Sequence, residues 1–388
     1  ELMRNVKELL ERLNSSLSFE EKYPELQDEA EKVHVLYVAP CMNASGYYRM
    51  IAPALELNKT KSHKAIVNQI HKWNFNKKYD EYDTPVDERL IRWADYIVFP
   101  AFFTDIQPII EGIVSINDRI QFVMDIDCHY FNFPDYHPGI KKYPKEQLEK
   151  LLENLSKMDV ITAPTNGILE AIEDKLEEIY PDADPMFAFV PNLLSNQAYA
   201  EVPQINKNNG KTVRIGIITN PSQSEDVKSI LPVLQEVLKD QKAELFIFGW
   251  NGKLKDENSL GDLPFKFVKP VSFLEYPTKL NKLALDVMLH PMNDHPFNTE
   301  GKSFVKYLEA AAFAIPMISS SVFPYSEIIK HGENGMLAKD ENEWKEQLQK
   351  LIADAQLRTD IGREALKYAW KNWSYNKSTM EVYKELFI

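Results

Sequence analysis

The chain has 388 residues, with 45 Lys and Arg against 58 Asp and Glu, a formal net charge of −13 at pH 7 and a pI near 5.2. At about 100–200 residues per domain that length means two domains or three, and a composition 44% hydrophobic and 27% charged, without low-complexity tracts, is that of a folded protein. The acidity excludes sequence-independent nucleic-acid binding, and having only Cys41 and Cys128 as cysteines excludes a disulfide scaffold or a Cys-based zinc finger.

No apolar run approaches the roughly 18 residues of a membrane span, and no secretory signal is visible, so a cytoplasmic setting is the default. The chain opens on Glu1 rather than Met, which leaves open that it belongs to something longer. Leu2, Val6, Leu9, Leu10 and Leu13 fall on one stripe of a first helix that Asn14-Ser15-Ser16 stops. Its polar face mixes Glu with Lys and Arg, so a packed helix is expected rather than a membrane-surface one.

From Val33 short apolar runs alternate with helical stretches. Strands are expected at 33–39, 65–70, 96–99, 120–126, 160–163 and 187–190, mostly separated by enough chain for crossover helices. The polar, Asn-rich stretch 191–211 reads as a linker. The alternation then resumes with strands at 213–219, 244–248, 265–268, 284–289, 316–319 and 335–337, and helices at 224–238 and 343–353. An aromatic-rich amphipathic helix is expected over 373–388. The division is a helical segment at 1–30, a first domain at 31–204, a second at 205–372 and a closing helix at 373–388. The fold class is α/β, two doubly wound parallel sheets, whose ligands bind at the carboxyl ends of the strands.

Three strand-end segments carry candidate chemistry. Cys41-Met-Asn-Ala-Ser-Gly46-Tyr-Tyr-Arg49 reads either as a Gly loop offering N–H groups to an anion before a helix near Met50, or as an ordinary βα turn. Asp125-Ile-Asp127-Cys-His129 could bind a metal, hold sugar hydroxyls or act as acid and base, or the carboxylates cap the next turn. Residues 291–316 hold a helix expected to start near Gly301 or Lys302, with Lys302, Lys306 and Glu309 on one face. Two lysines at such a helix start suit a diphosphate, and Glu309 a ribose diol; the alternative is a solvated face on which Lys306 and Glu309 pair. His290 and His295 read as loop residues or catalytic ones. No Ser-His-Asp arrangement or H-E-x-x-H sequence stands out.

The runs VRIGIITN, ELFIFGWNG, LALDVMLHPMNDHPFN and KSFVKYLEAAAFAIPMISSSVFPYSEIIKHGENGMLA resemble the C-terminal domain of retaining GT-B glycosyltransferases of the family-4 type. ASGYYRMIAPALEL and FVMDIDCHYFNFP are similar to the acceptor-side loops of that group. The resemblance implies the GT-B fold, with a nucleotide-diphospho-sugar donor on the C-terminal domain. Glu309 matches the second acid of the family's E-x7-E motif, which contacts the ribose. Gly301 stands where the first would be, with Glu300 one residue off register. Lys302-Ser303-Phe304 replaces the usual Gly-Phe-Gly, and ITNPSQSEDVK lacks the usual basic pair, with only Lys228 near. These departures fit a subgroup reading K-S-x-x-K-x-x-E, in which Lys302 and Lys306 take over phosphate contact.

By the same resemblance Asp127, His129, Lys302 and Lys306 are the catalytic candidates, with Asp127 or His129 the counterpart of a strand-end His that touches the donor sugar. Donor contacts are expected from Gly46, Gly249, Trp250, Val271, Asn298, Glu300, Lys302, Ser303, Phe304, Lys306 and Glu309, and acceptor contacts from Tyr47, Arg49 and Asp125. The implied activity is metal-independent, retaining sugar transfer, from a UDP-sugar by preference, to a glycan, lipid-linked or protein acceptor. Peripheral contact with the inner membrane face is left open. The alternatives are an NDP-sugar epimerase using Asp125 and Asp127, and a degenerate GT-B domain that binds nucleotide or glycan as a scaffold.

Overall fold

A computed structural model describes residues 2–28, 31–68, 86–240, 242–253 and 260–388. The apolar runs of the first half form β1 (Val33–Tyr37), β2 (His63–Val67), β3 (Tyr96–Pro100), β4 (Gln121–Asp125), β5 (Val160–Ala163) and β6 (Met186–Phe189). Those of the second half form β7 (Val213–Ile218), β8 (Ala243–Phe248), β9 (Lys266–Val268), β10 (Val287–His290), β11 (Met317–Ser320) and β12 (Met336–Ala338). All pairings are parallel, in the orders β2-β1-β3-β4-β5-β6 and β12-β11-β10-β7-β8-β9. Each expected strand is present. The strand expected at 65–70 starts earlier, at His63, and its residues 69 and 70 lie outside the described residues.

Strands buried on both faces read as continuous apolar runs, which is why they were visible in the sequence. In the second sheet the two faces feed different cores. Val287 and Leu289 join Ile215, Ile217, Leu245 and Ile247 on the outer side, whereas Met288, Phe248 and Met317 belong to an apolar cluster continuous with the first sheet. Chain order reverses between β1 and β3, and again between β7 and β10. Such switch points leave a crevice beyond the carboxyl ends of the strands.

The helices that frame this crevice are α1 (Arg4–Asn14), α2 (44–57), α3 (Ser224–Lys228), α4 (Val305–Ala311), α5 (Ala355–Asn372) and α6 (Glu381–Leu386). In α1, Val6, Leu9, Leu10 and Leu13 are buried, as the stripe requires, and the Met3 N–H donates to the Gln197 carbonyl at 2.6 Å. Several helices differ from expectation: the one expected at 224–238 is two, Ser224–Lys228 and Leu231–Val237. Helix α2 begins at Ala44 rather than near Met50, because Asn43 caps it by accepting from the Gly46 N–H at 3.1 Å. The glycine is needed for approach, since a Cβ there would lie 1.9 Å from the Cys41 carbonyl oxygen. Helix α4 begins at Val305, so Lys302 and Ser303 sit in the loop before it. The segment 373–388 is not one helix: 374–380 is irregular and only α6 is helical.

Candidate active site

The loops that follow β1, β4, β7 and β10 meet across the crevice. On the first-sheet side, the Asp125 carboxylate at the end of β4 is closed off. Its Oδ1 accepts from Arg49 Nη2 at 2.7 Å and from Thr162 Oγ1 at 2.6 Å, and its Oδ2 accepts from Arg49 Nε at 2.9 Å. Arg49 spends its remaining donor group on the Val190 carbonyl and on Asn192 Oδ1, at 2.5 and 3.0 Å. Both side chains are buried. A bidentate, fully satisfied pair of this kind holds α2, β4 and the start of the 191–211 stretch together. That arrangement differs from the acceptor contact expected of Arg49 and Asp125. Tyr47, the third residue expected there, is wholly buried, its ring stacked on Phe273 at 4.6 Å.

Asp127 and His129 part company. Asp127 accepts from Tyr130 OH at 3.3 Å, and burial pushes its carboxyl up while a hydrogen bond from Ser45 pulls it down. His129, beyond the end of β4, reaches the other domain: its Nε2 lies 3.1 Å from Glu300 Oε2. Burial draws the imidazole below its ordinary value and Glu300 holds it up. The geometry is that of an Nε2–H donating to the carboxylate. Of the two candidates, His129 is the one facing the loop before α4.

The approach at that point is tight. A Cβ on Gly301 would lie 2.6 Å from His129 Cβ and 2.6 Å from the Phe297 carbonyl oxygen, and a Cβ on Gly167 would lie 2.5 Å from Glu300 Cβ. Thr165 Oγ1 donates to the Glu300 carbonyl at 2.6 Å, Asn192 Nδ2 to Ser303 Oγ at 3.0 Å, and Asn293 Nδ2 to Tyr136 OH at 2.7 Å. The two domains are closed onto each other along this loop.

The two lysines have different surroundings. Lys302 Nζ lies 3.7 Å from Asp226 Oδ2 on α3 and 5.5 Å from the centre of the Phe297 ring. Burial draws its ammonium down and Asp226 opposes that shift. Asp226 is itself buried. Its Oδ1 accepts from the Asn293 N–H at 2.9 Å and from Asn298 Nδ2 at 3.0 Å, and burial pushes its carboxyl up against those partners. Lys306, on α4, donates to Glu309 Oε2 at 2.9 Å. Glu309 is 1% exposed and also accepts from Tyr276 OH at 2.7 Å and, across the crevice, from Tyr48 OH at 3.1 Å.

Lys302, Ser303, Lys306, Glu300, Glu309 and His129 are therefore gathered along one loop and helix. The remaining expected donor contacts are less free. The Asn298 Nδ2 group is engaged by Asp226 and Asn293, and Phe304 packs edge-on against Trp373 at 4.5 Å. Trp250 is buried in the outer core with its Nε1 donating to the Lys253 carbonyl at 2.9 Å. Val271 packs against the shared apolar cluster. The Gly46 N–H is taken up by the Asn43 cap. Gly249, at φ 104°, lets the chain turn against the Thr219 carbonyl, which a Cβ would meet at 2.3 Å. His290 is a buried residue stacked on Tyr325 at 4.4 Å, and the His295 ring caps the turn of helix that follows it.

Asp226 escaped the sequence reading, which looked for a basic pair after β7. Its signal was an acidic residue inside the short helix directly following a buried strand. Among the described residues no group of three His, Cys, Asp or Glu is placed to hold a metal ion, and no helix is long and apolar enough to cross a membrane.

Residues 212–354 match the family profile described as Glycosyl transferases group 1. No curated protein matches the chain. Among solved structures, sucrose-phosphate synthase from Thermosynechococcus elongatus is similar with a TM-score of 0.57 and 12% identity, over 92% of this chain and 99% of that one. Anabaena HepE in complex with UDP-glucose is similar with a TM-score of 0.56 and 13% identity, over 91% and 99%. S. aureus TarM, solved with UDP, alpha-GlcNAc-glycerol and Fondaparinux, is similar with a TM-score of 0.50 and 14% identity over 78% of this chain, which spans only 59% of the length of TarM. The two-sheet architecture is the GT-B fold, and the match to the group 1 glycosyltransferase profile falls on the part of the chain that forms the second sheet.

Proposed function

We propose that the chain transfers a sugar from a nucleotide-diphospho-sugar, a UDP-sugar by preference, to a glycan, lipid-linked or protein acceptor, with retention of configuration, without metal and in the cytoplasm. The observation that carries this reading is the gathering of Lys302, Ser303 and Lys306 beside the His129–Glu300 contact, at the mouth between the two sheets. When the bond from anomeric carbon to phosphate breaks, negative charge develops on the departing diphosphate. Ammonium groups already in place stabilise that charge with little reorganisation, and removing one such group typically costs about 10²–10³ in rate. His129 and Glu300, held against the backbone at Gly301, supply an imidazole and a carboxylate that suit sugar hydroxyls. Closure of the mouth excludes water and favours transfer over hydrolysis.

One observation favours a second reading. Both lysines are neutralised internally, Lys302 by Asp226 and Lys306 by Glu309. A domain that binds nucleotide without turning it over would have the same features. The epimerase alternative loses its acid–base partner, because Asp125 is fully engaged by Arg49 and Thr162.

The test is thermal shift with UDP-, GDP-, ADP-, CMP- and dTDP-sugars, with and without EDTA, followed by nucleotide release in the presence of acceptor extracts. Stabilisation of several degrees by one nucleotide class, unaffected by EDTA, together with acceptor-dependent release, is the expected result. Binding without release under any condition gives the scaffold reading, and no binding removes both.

A further inference from the structure

The two lysine–carboxylate pairs are not equivalent. If Lys306 turns away from Glu309, the carboxylate keeps two phenol donors, Tyr48 and Tyr276. If Lys302 turns away from Asp226, Oδ1 keeps the Asn293 N–H and the Asn298 amide, but Oδ2 loses the one cation beside it while staying buried. A buried carboxylate stripped of its counter-charge is costly and is relieved by protonation.

Among the described residues, the groups facing Asp226 offer no replacement cation. Lys302 comes from the loop before α4. His290, from the end of β10, lines the same cavity of about 10 Å³, and burial pushes its imidazole down to about 3, so it is neutral. Tyr136 comes from the first domain and is held by Asn293. On its own helix Asp226 has Glu225, which is paired with Lys228 at 2.8 Å.

We propose that Asp226 is the counter-charge Lys302 gives up when a nucleotide diphosphate arrives, and that Asp226 Oδ2 takes a proton from solvent in that exchange. Donor binding is then proton-coupled, and Asp226 is a positioning residue that keeps Lys302 charged and in place while the site is empty. The inference rests on the donor-site reading above.

The consequence has a definite sign. Donor binding adds negative charge and withdraws Lys302, so Asp226 holds its proton more tightly in the complex than in the free protein. Between those two titrations affinity weakens as pH rises, by up to about tenfold per unit. UDP-glucose is a suitable probe because its diphosphate diester does not titrate near neutrality. Calorimetric titration in buffers of different ionisation enthalpy is expected to show uptake approaching one proton per UDP-glucose bound. Asp226→Asn should abolish the uptake in whatever binding the variant retains and flatten the pH dependence of its affinity.

Three results overturn the proposal: no uptake in the wild type, undiminished uptake in Asp226→Asn, or uptake that grows in that variant, which would make Lys302 itself the proton acceptor. Should Asp226→Asn fail to fold, the wild-type affinity profile decides alone, and a flat profile between pH 6 and 8.5 overturns it. If UDP-glucose, GDP-mannose and ADP-glucose all fail to bind the wild type, the donor-site reading falls first and this inference with it.

Discussion

Two buried ion pairs face the same crevice from opposite domains, and they are built differently. Arg49–Asp125 is bidentate at 2.7 and 2.9 Å, with Thr162, Asn192 and the Val190 carbonyl completing its hydrogen bonds. Lys302–Asp226 is a single approach at 3.7 Å in which the ammonium has one carboxylate and one aromatic face. The planar guanidinium fork locks both partners, whereas a lysine on a flexible stem can change partner by rotating. The difference teaches that burial and charge alone do not identify a reactive group. The number of hydrogen bonds already committed separates a pair that stays from one that can exchange.

The sharpest way to break this comparison is Asp125→Ala. It leaves the Arg49 guanidinium buried without its counter-charge and should cost about 3–5 kcal/mol of stability, read by denaturant unfolding. A variant as stable as the wild type would mean that the pair is not the clamp described here.

Lys302→Ala comes next. Turnover should fall by about 10²–10³, some 2.7–4 kcal/mol of transition-state stabilisation, measured well below a melting temperature that also falls because Asp226 is left buried without its cation. Turnover at the wild-type rate would remove Lys302 from the diphosphate site.

Gly301→Ala tests whether the close approach at His129 is needed. The added methyl group would force the loop and His129 apart, and displacement near 1 Å costs up to about 10²-fold in rate. Nucleotide binding should persist, and small-angle scattering should show a more open molecule. An unchanged rate would show that this contact is dispensable.

A further effect concerns pH. Burial holds His290 at about 3, with Lys302 and Lys306 pushing the same way, so it stays neutral in the folded chain while an unfolded histidine protonates near 6.5. Stability from this group is therefore present above about pH 6.5 and is lost as pH falls from there toward 3, by at most about 1.4 kcal/mol per unit. His290→Leu should flatten that slope. An equally steep slope in the variant would assign the acid sensitivity to other groups.

The central strands were legible in the sequence because a strand buried on both faces must be apolar at consecutive positions, whereas the half-exposed edge strands β6 and β9 showed mainly through their aromatic residues and the local signals that bound them. Where α2 begins was misread because Gly46 looks like a breaker, whereas the fold uses it to bring the helix against the Cys41 carbonyl. The K-S-x-x-K-x-x-E spacing located the lysines and Glu309. What each lysine pairs with was only half legible. Lys306 and Glu309 are three residues apart on one helix, so their pairing is a local matter. The partners of Lys302 and Arg49 lie 76 residues away in each case, at Asp226 and Asp125, and no local pattern encodes a contact between segments that only the assembled sheets bring together.

The chain passes between the domains twice, and the two passages are joined. The Leu194 N–H donates to the Trp373 carbonyl at 2.8 Å, and the Tyr375 N–H donates to the Leu194 carbonyl at 3.0 Å. Beyond that point the chain returns to the first sheet, where the Phe387 carbonyl lies 2.8 Å from His63 Nε2. The second sheet is thus suspended from a two-ply spine rather than a single thread. A single thread would let it tumble, whereas two strands laced together permit opening like the cover of a book and resist twisting. Such lacing holds Lys302, Glu300 and His129 to one register each time the crevice closes.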